Sequence, residues 1–431
     1  MSDTHAQTVA YVRDTMLPPT DPPARETGAV KWVRENLFSS IPYSILTLLA
    51  LYVVWSVLSG ILPWLFGGVW NAPDIRACRE ILAGAEGGCF AVLTERWNQL
   101  LFGIAYPQDG YWRPTLAFVL LFVAAAPLLF AHLPRRLLIV SALYPFIAYW
   151  LIWGGTFLIP VVQLAGVVAG YLVYSRLVAR GFLTALLGGI VGAALVWWLG
   201  GYLTEAMPRF AALEEVPSRN MGGFMLNMIL GTICVSLSLP LGILLALGRR
   251  SRLPIIKLIC VVFIEFIRGV PLITLLFVAN VVLAYFLPPG TNFDLILRVI
   301  IMITMFASAY IAEVIRGGLA ALPKGQYEAA DSLGLDYAQS MRLIILPQAL
   351  KISIPGIVNV AVGLFKDTTL VSIISMFDLV GMIRGPILAS TEWNGVYWEL
   401  WGFAALLFFV VCYGISQYSQ WLERQLQTGH H

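Results

Sequence analysis

The chain has 431 residues, of which 59% are hydrophobic and only 12% charged, with a mean hydropathy of +0.81. Soluble domains carry about 25% charge, so this composition excludes a soluble enzyme or a nucleic-acid-binding protein. It indicates a chain that crosses a bilayer many times. The formal net charge of +3 decides little by itself; the distribution of the charges is more informative.

Apolar runs of about 20 residues are long enough to span the hydrocarbon core as helices. They are unbroken rather than alternating, which argues against barrel strands. Residues 1–36 are polar and contain Pro18, Pro19, Pro22 and Pro23, so they read as a flexible tail with no cleavable signal. The first apolar run, 37–66, then acts as an uncleaved anchor. A polar loop follows at 67–113 and carries Cys78 and Cys89. If this loop is extracytoplasmic, a disulfide fits there; two free thiols remain the alternative.

The next runs are about 114–133, 137–154, 156–175 and 181–204. Only Gly154 and Gly155 divide the second from the third. A boundary falls near 205–221. Beyond it come runs at about 222–247, 254–288, 293–315, 352–376 and 397–420, for ten spans in all. An inside N-terminus places most of the 27 Lys and Arg on the cytoplasmic side, and the opposite orientation reverses the bias. Both termini and the segment 316–351 therefore face the cytoplasm, with a C-terminal tail from 422. The GRRSR stretch at 248–252 reads as a positive-inside anchor.

Within the spans, charges are frequent only in the second half. Glu265 and Arg268 are three apart and share a helical face, so they can pair with each other. Pro271 should kink or interrupt their span. Glu313 and Arg316 repeat the spacing, and Lys366 and Asp367 sit within an apolar run. Ionisable groups at membrane depth face an aqueous cavity or a bundle interior. A zwitterionic substrate would use one sign for its ammonium and the other for its carboxylate. Glu265, Arg268, Lys366 and Asp367 are the substrate-pathway candidates, and packing pairs that never touch substrate are the plainer reading. Glu313–Arg316 reads as a structural pair.

Residues 328–347, EAADSLGLDYAQSMRLIILP, are among the most polar of this half. They spell a short helix with a thin alanine face, a turn at Gly334, and a second helix over Leu335–Leu346 with Pro347 returning the chain to the membrane. An amphipathic loop lying on the membrane surface is the alternative from spacing alone.

Glu328, Ala329, Ala330, Gly334, Leu335, Ile344, Leu346 and Pro347 stand in the pattern of the EAA motif, and the chain thereby resembles the permease subunits of type I ABC importers. The flanks AYIAEVIRGGLAALPKGQ (309–326), LPQALKISIPGIVNVAVGLFKDTTLVSII (346–374) and EFIRGVPLI (265–273) resemble the polar amino acid branch. CREILAGAEGGCFAVLTERW and AYPQDGYWRP resemble the larger permease of Gram-negative general L-amino acid importers. Where that family has KDTS, this chain has Lys366-Asp367-Thr368-Thr369.

The resemblance implies an all-α inner-membrane protein. Its five-helix permease core would occupy 221–421, preceded by a transmembrane extension of about five helices over 37–220. It implies that the EAA hairpin couples to an ABC ATPase dimer, that a second homologous permease completes the pathway, and that a periplasmic amino-acid-binding protein delivers substrate for alternating access. The chain contains no G-x-x-x-x-G-K-[ST] loop, so it should be no enzyme. ATP and Mg would sit on the partner, with no metal or other cofactor in this chain and membrane lipid as its surroundings. An ion-coupled secondary transporter would need a second copy of the core, and an intramembrane enzyme would need a reactive cluster; the sequence offers neither.

Overall fold

A computed structural model describes residues 28–130, 132–207, 211–282 and 294–427, apart from the side chains of Phe182 and Gln427. Nine described helices are long and apolar enough to cross a membrane, or ten when the bent pair Pro254–Gly269 and Leu272–Val282 is taken as one span. Five precede Gly223 and five follow it, which is the extension-plus-core arrangement expected above. The expected break at Pro271 is a bend of 103°. Pro271 offers no amide proton to the preceding turn, so the ladder of hydrogen bonds stops there.

The chain divides into two units. The first runs up to Gly68 and includes 84–88. It holds α1 (Gly28–Asn36) and α2 (Ile41–Phe66), the latter begun by the Ser40 side chain, which accepts from the Tyr43 amide. The Gly88 amide donates to the Trp64 carbonyl at 2.9 Å. The expected tail over 1–36 is corrected in part: 28–36 are helical, with a Lys31–Glu35 pair at 3.8 Å one turn apart. The prolines lie among 1–27, outside the described residues.

The second unit comprises 69–83 and everything from Cys89 onward. Its opening segment is not a bare loop. Three short helices, α3 (Ile75–Leu82), α4 (Ala91–Glu95) and α5 (Trp97–Phe102), are closed by a Cys78–Cys89 disulfide. The segment grips the start of the last span: the Cys89 amide donates to buried Glu399 at 2.8 Å, and Arg96 pairs with Glu392.

Four helices follow: α6 (Trp112–Leu129), α7 (Leu138–Trp153), α8 (Leu158–Leu177) and α9 (Phe182–Ala206). The Gly154–Gly155 break is real, with φ of 80° and 82°. Buried Arg113 satisfies the end of α7, donating from Nε to the Leu151 carbonyl at 2.7 Å and from Nη1 to the Glu214 carbonyl at 2.9 Å.

The core consists of α10 (Gly223–Arg249), α11 (Pro254–Gly269), α12 (Leu272–Phe277), α13 (Leu295–Ala321), α14 (Lys324–Ser332), α15 (Tyr337–Ser340), α16 (Leu346–Asp367), α17 (Leu379–Met382) and α18 (Tyr397–Gln427). Small residues let these helices approach closely. A Cβ on Gly242 would fall 2.6 Å from Ile311, and one on Gly231 2.6 Å from Phe365. One apolar cluster joins Leu151 and Ile152 of α7 to Met225, Leu226 and Ile229 of α10 and Ile303 of α13, so α7 packs on the core.

Three boundaries differ from the expected ones. Helix α13 continues to Ala321 rather than ending near 315, because Glu313 and Arg316 are paired and do not terminate it. Helix α18 reaches Gln427, into the expected tail. Pro347 does not break the chain, since it lies in the first turn of α16, where its missing amide has no role. The second arm of the hairpin therefore runs through a π-turn at Met341–Ile345 directly into the span.

Candidate functional site

The hairpin is a helix, a glycine turn and a capped second helix. Gly334 has φ 71° and open space around it, so the position selects glycine for its left-handed backbone rather than for room. Asp336 caps α15 in a reciprocal capping box: its Oδ1 accepts from the Gln339 amide at 2.7 Å, while the Gln339 side chain accepts from the Asp336 amide at 3.1 Å. The hairpin has an inner and an outer face. Ala330 is fully buried, and Met341 and Ile345 join an apolar cluster with Ala246, Ile264, Ile311 and Ile315. Glu328, Ala329 and Pro347 face outward, while Leu335, Ile344 and Leu346 are half-buried. Leu333, Tyr337 and Leu343 expose 72%, 60% and 64% of their surface. None of the three stands out from sequence as a set, although a bulky apolar residue next to the turn glycine is a signal that marks Leu333. Gln348 braces the arms by donating to Gln326 at 2.9 Å.

Behind the hairpin lies a cluster of five charges on three helices. Arg249 at the end of α10 donates to Glu265 of α11 at 2.9 Å and to Glu313 of α13 at 3.2 Å. Arg268 of α11 reaches Glu313 at 3.7 Å and stacks over the Tyr310 ring at 5.5 Å. Arg316 donates from Nε to the other Glu313 oxygen at 2.7 Å. Glu313 is thus shared by three arginines. The expected Glu265–Arg268 pairing is corrected: each bonds across helices instead, because Arg249, Glu313 and the α10–α13 packing bring nearer partners. From sequence Arg249 is marked only as a membrane anchor.

A second polar site occupies the far end of the core. Asn227, Thr368 and Asp378 are fully buried, and Asn227 bonds to both of the others. The Asn227 amide donates to Thr368 Oγ1 and to Asp378 Oδ2, each at 3.0 Å, and its oxygen accepts from the Leu379 amide at 3.1 Å. Asp378 Oδ1 accepts from the Gly381 amide at 2.9 Å and so caps α17. Burial pushes the Asp378 carboxyl up to about 6, with the Asn227 and backbone hydrogen bonds pulling the other way. Neither Asn227 nor Asp378 was anticipated. An aspartate three residues before a glycine, ahead of an apolar stretch, is the only local sign.

Lys366 and Asp367 immediately precede this node. Lys366 is exposed and Asp367 half-buried, and neither forms an ion pair within 4 Å with a described residue. Among the described residues, no group of three or more His, Cys, Asp or Glu is arranged to hold a metal.

The chain is 51% identical over 439 residues to the glutamate/glutamine/aspartate/asparagine transport system permease protein BztC of Rhodobacter capsulatus, covering all of both chains. It is an amino-acid ABC transporter permease. Residues 238–425 of the permease match the family described as binding-protein-dependent transport system inner membrane component. It is also 38% identical to the inner membrane amino-acid ABC transporter permease protein YhdY of Escherichia coli, covering 96% of this chain and 97% of that one. The probable glutamine ABC transporter permease protein GlnP of Bacillus subtilis is 32% identical over 204 residues, which are 47% of this permease but 90% of the relative. A solved amino acid ABC transporter, crystallised with histidines, is 32% identical with a TM-score of 0.43 over 47% of this chain and 92% of that one.

Proposed function

We propose that this permease forms the translocation path of an ATP-driven importer that carries polar L-amino acids, across a broad range, from periplasm to cytoplasm by alternating access. The whole-length relative named for glutamate, glutamine, aspartate and asparagine transport supports acidic amino acids and their amides as the substrate class. The hairpin lies on the cytoplasmic side together with both termini, in line with the distribution of Lys and Arg. Its partners are an ABC ATPase dimer that holds ATP and Mg, a second homologous permease, and a periplasmic amino-acid-binding protein.

The single observation that carries this reading is the two-faced hairpin. Its inner face is bolted to α10, α11 and α13, while Glu328, Leu333, Tyr337 and Leu343 stand uncovered. An exposed apolar tip on a rigid, polar base suits a protein partner. Lys366 and Asp367, free of ion pairs with described residues, are the charges offered to the carboxylate and ammonium of the substrate. Glu265 and Arg268, already bonded across helices, serve the cytoplasmic gate instead.

Glu328→Lys reverses a charge on the uncovered face without touching the core, whereas Gly334→Trp puts a side chain on the left-handed turn and also distorts the hairpin. Both variants are expected to lose the ATPase on co-purification and to lose uptake. Normal association with normal uptake would refute the docking role. Asp367→Asn is expected to raise the KM for substrate about tenfold, as loss of a charged hydrogen bond does; unchanged kinetics would remove Asp367 from the path.

A further inference from the structure

The last residue of α10 and the one that follows it point in different directions. Arg249 enters the charge cluster through Glu265 and Glu313. Arg250 turns to the hairpin, donates from Nη1 to the Tyr327 hydroxyl at 2.9 Å, and stacks over the Tyr327 ring at 5.5 Å. Tyr327 is the residue immediately before Glu328, and its hydroxyl also donates to the Leu319 carbonyl near the end of α13 at 3.4 Å. The hairpin is thus tied to α10 through Arg250, and α10 to α11 and α13 through Arg249, with one peptide bond between the two ties.

We propose that the Arg249–Arg250 dipeptide is the connector that transmits displacement of the coupling hairpin to the Glu313-centred charge cluster, and so to the gate-side ends of α10, α11 and α13. This rests on the docking reading of the hairpin given above. A connector must be stiff where it takes up motion and exchangeable where it delivers it. The planar guanidinium of Arg250 meets Tyr327 through both a hydrogen bond and its face, which fixes direction. At the delivering end three arginines share two carboxylates, Glu265 and Glu313, so one partner can replace another without stranding a charge. Partly exposed ion pairs of this kind are individually weak, which suits a contact that must re-form each cycle. Both arginines therefore act as positioning residues through their neighbours and do not touch substrate.

The test uses the assembled transporter in proteoliposomes and reads ATP hydrolysed per amino acid delivered, alongside co-purification of the ATPase. Arg250→Ala is expected to retain the ATPase but raise the ratio about fivefold, the scale on which residues along a coupling network act. Tyr327→Phe, which keeps the ring but deletes the hydroxyl, is expected to raise the ratio by a smaller factor. Arg250→Lys, which keeps a charged donor for that hydroxyl but not the planar face, is expected to fall between Arg250→Ala and wild type; a purely packing role would not follow this order. An unchanged ratio in both Arg250→Ala and Tyr327→Phe overturns the proposal, as does a lost ATPase in Arg250→Ala. Glu328→Lys, run in parallel, reports separately on docking: if it alone behaves as wild type, the hairpin reading has failed rather than the connector.

Discussion

The two ends of α10 hold polar groups of opposite character. Asn227 and Arg249 are separated by roughly 33 Å along the helix at ~1.5 Å per residue. At the far end Asn227, Thr368 and Asp378 are fully buried, neutral or singly charged, and closed by directional hydrogen bonds. At the hairpin end five charged side chains are partly exposed and over-supplied with arginine. Opening the first would strand a buried carboxylate, at a cost of about 3–5 kcal/mol. Rearranging the second exchanges one partner for another at ~0–1 kcal/mol per pair. The contrast assigns the far node the part of a fixed pivot and the charge cluster the part of a movable latch.

The comparison breaks first at the pivot. Asn227→Leu removes both donors and the acceptor for the Leu379 amide, and should destabilise the permease by about 3 kcal/mol in a thermal melt. A loss below ~1 kcal/mol would mean that the node is not a fixed point.

The second effect is on pH dependence. The Asp378 carboxyl lies at about 6 in the fold against 3.8 for the unperturbed group. Between these values the folded chain binds the extra proton, so the Asp378 contribution to stability increases as pH falls through about 6 and is lost as pH rises again. Asp378→Asn should flatten that part of the stability profile between pH 7 and 4, an effect of up to about 3 kcal/mol. An identical profile in the variant would contradict the assignment.

At the latch, Glu313→Gln leaves three arginines facing Glu265 alone and should cost about 1–2 kcal/mol. Arg316→Ala, at the exposed rim, should cost less than ~1 kcal/mol and lose even that in high salt. A larger cost for Arg316 than for Glu313 would reverse the hub assignment.

Legibility from sequence follows the same division. The spans were readable because each is a continuous apolar run, and the hairpin because its turn chemistry is local: Gly334 and the thin alanine face lie within a few residues of each other. The disulfide was one of two options left open. The partners of Glu265 and Arg268 were not readable, because helix spacing favours the neighbour three residues away while the fold supplies Arg249 and Glu313 from other helices. The Asn227–Asp378 bond joins residues about 150 positions apart, and no local pattern encodes it. Arg249 and Arg250 looked like a topological anchor because a basic cluster at a helix end satisfies that rule whatever else it does.

The central claim, a fixed pivot and a driven latch, is tested most directly by two pairs of spin labels in the assembled transporter, in a chain whose free Cys234, Cys260 and Cys412 have been replaced. One pair, at Lys257 and Lys324, spans α11 and the base of the hairpin; the other, at Arg219 and Thr391, spans the far end. Addition of ATP and loaded binding protein should shift the first distance distribution and leave the second in place. A static first pair, or a second pair that moves as far as the first, would contradict the account.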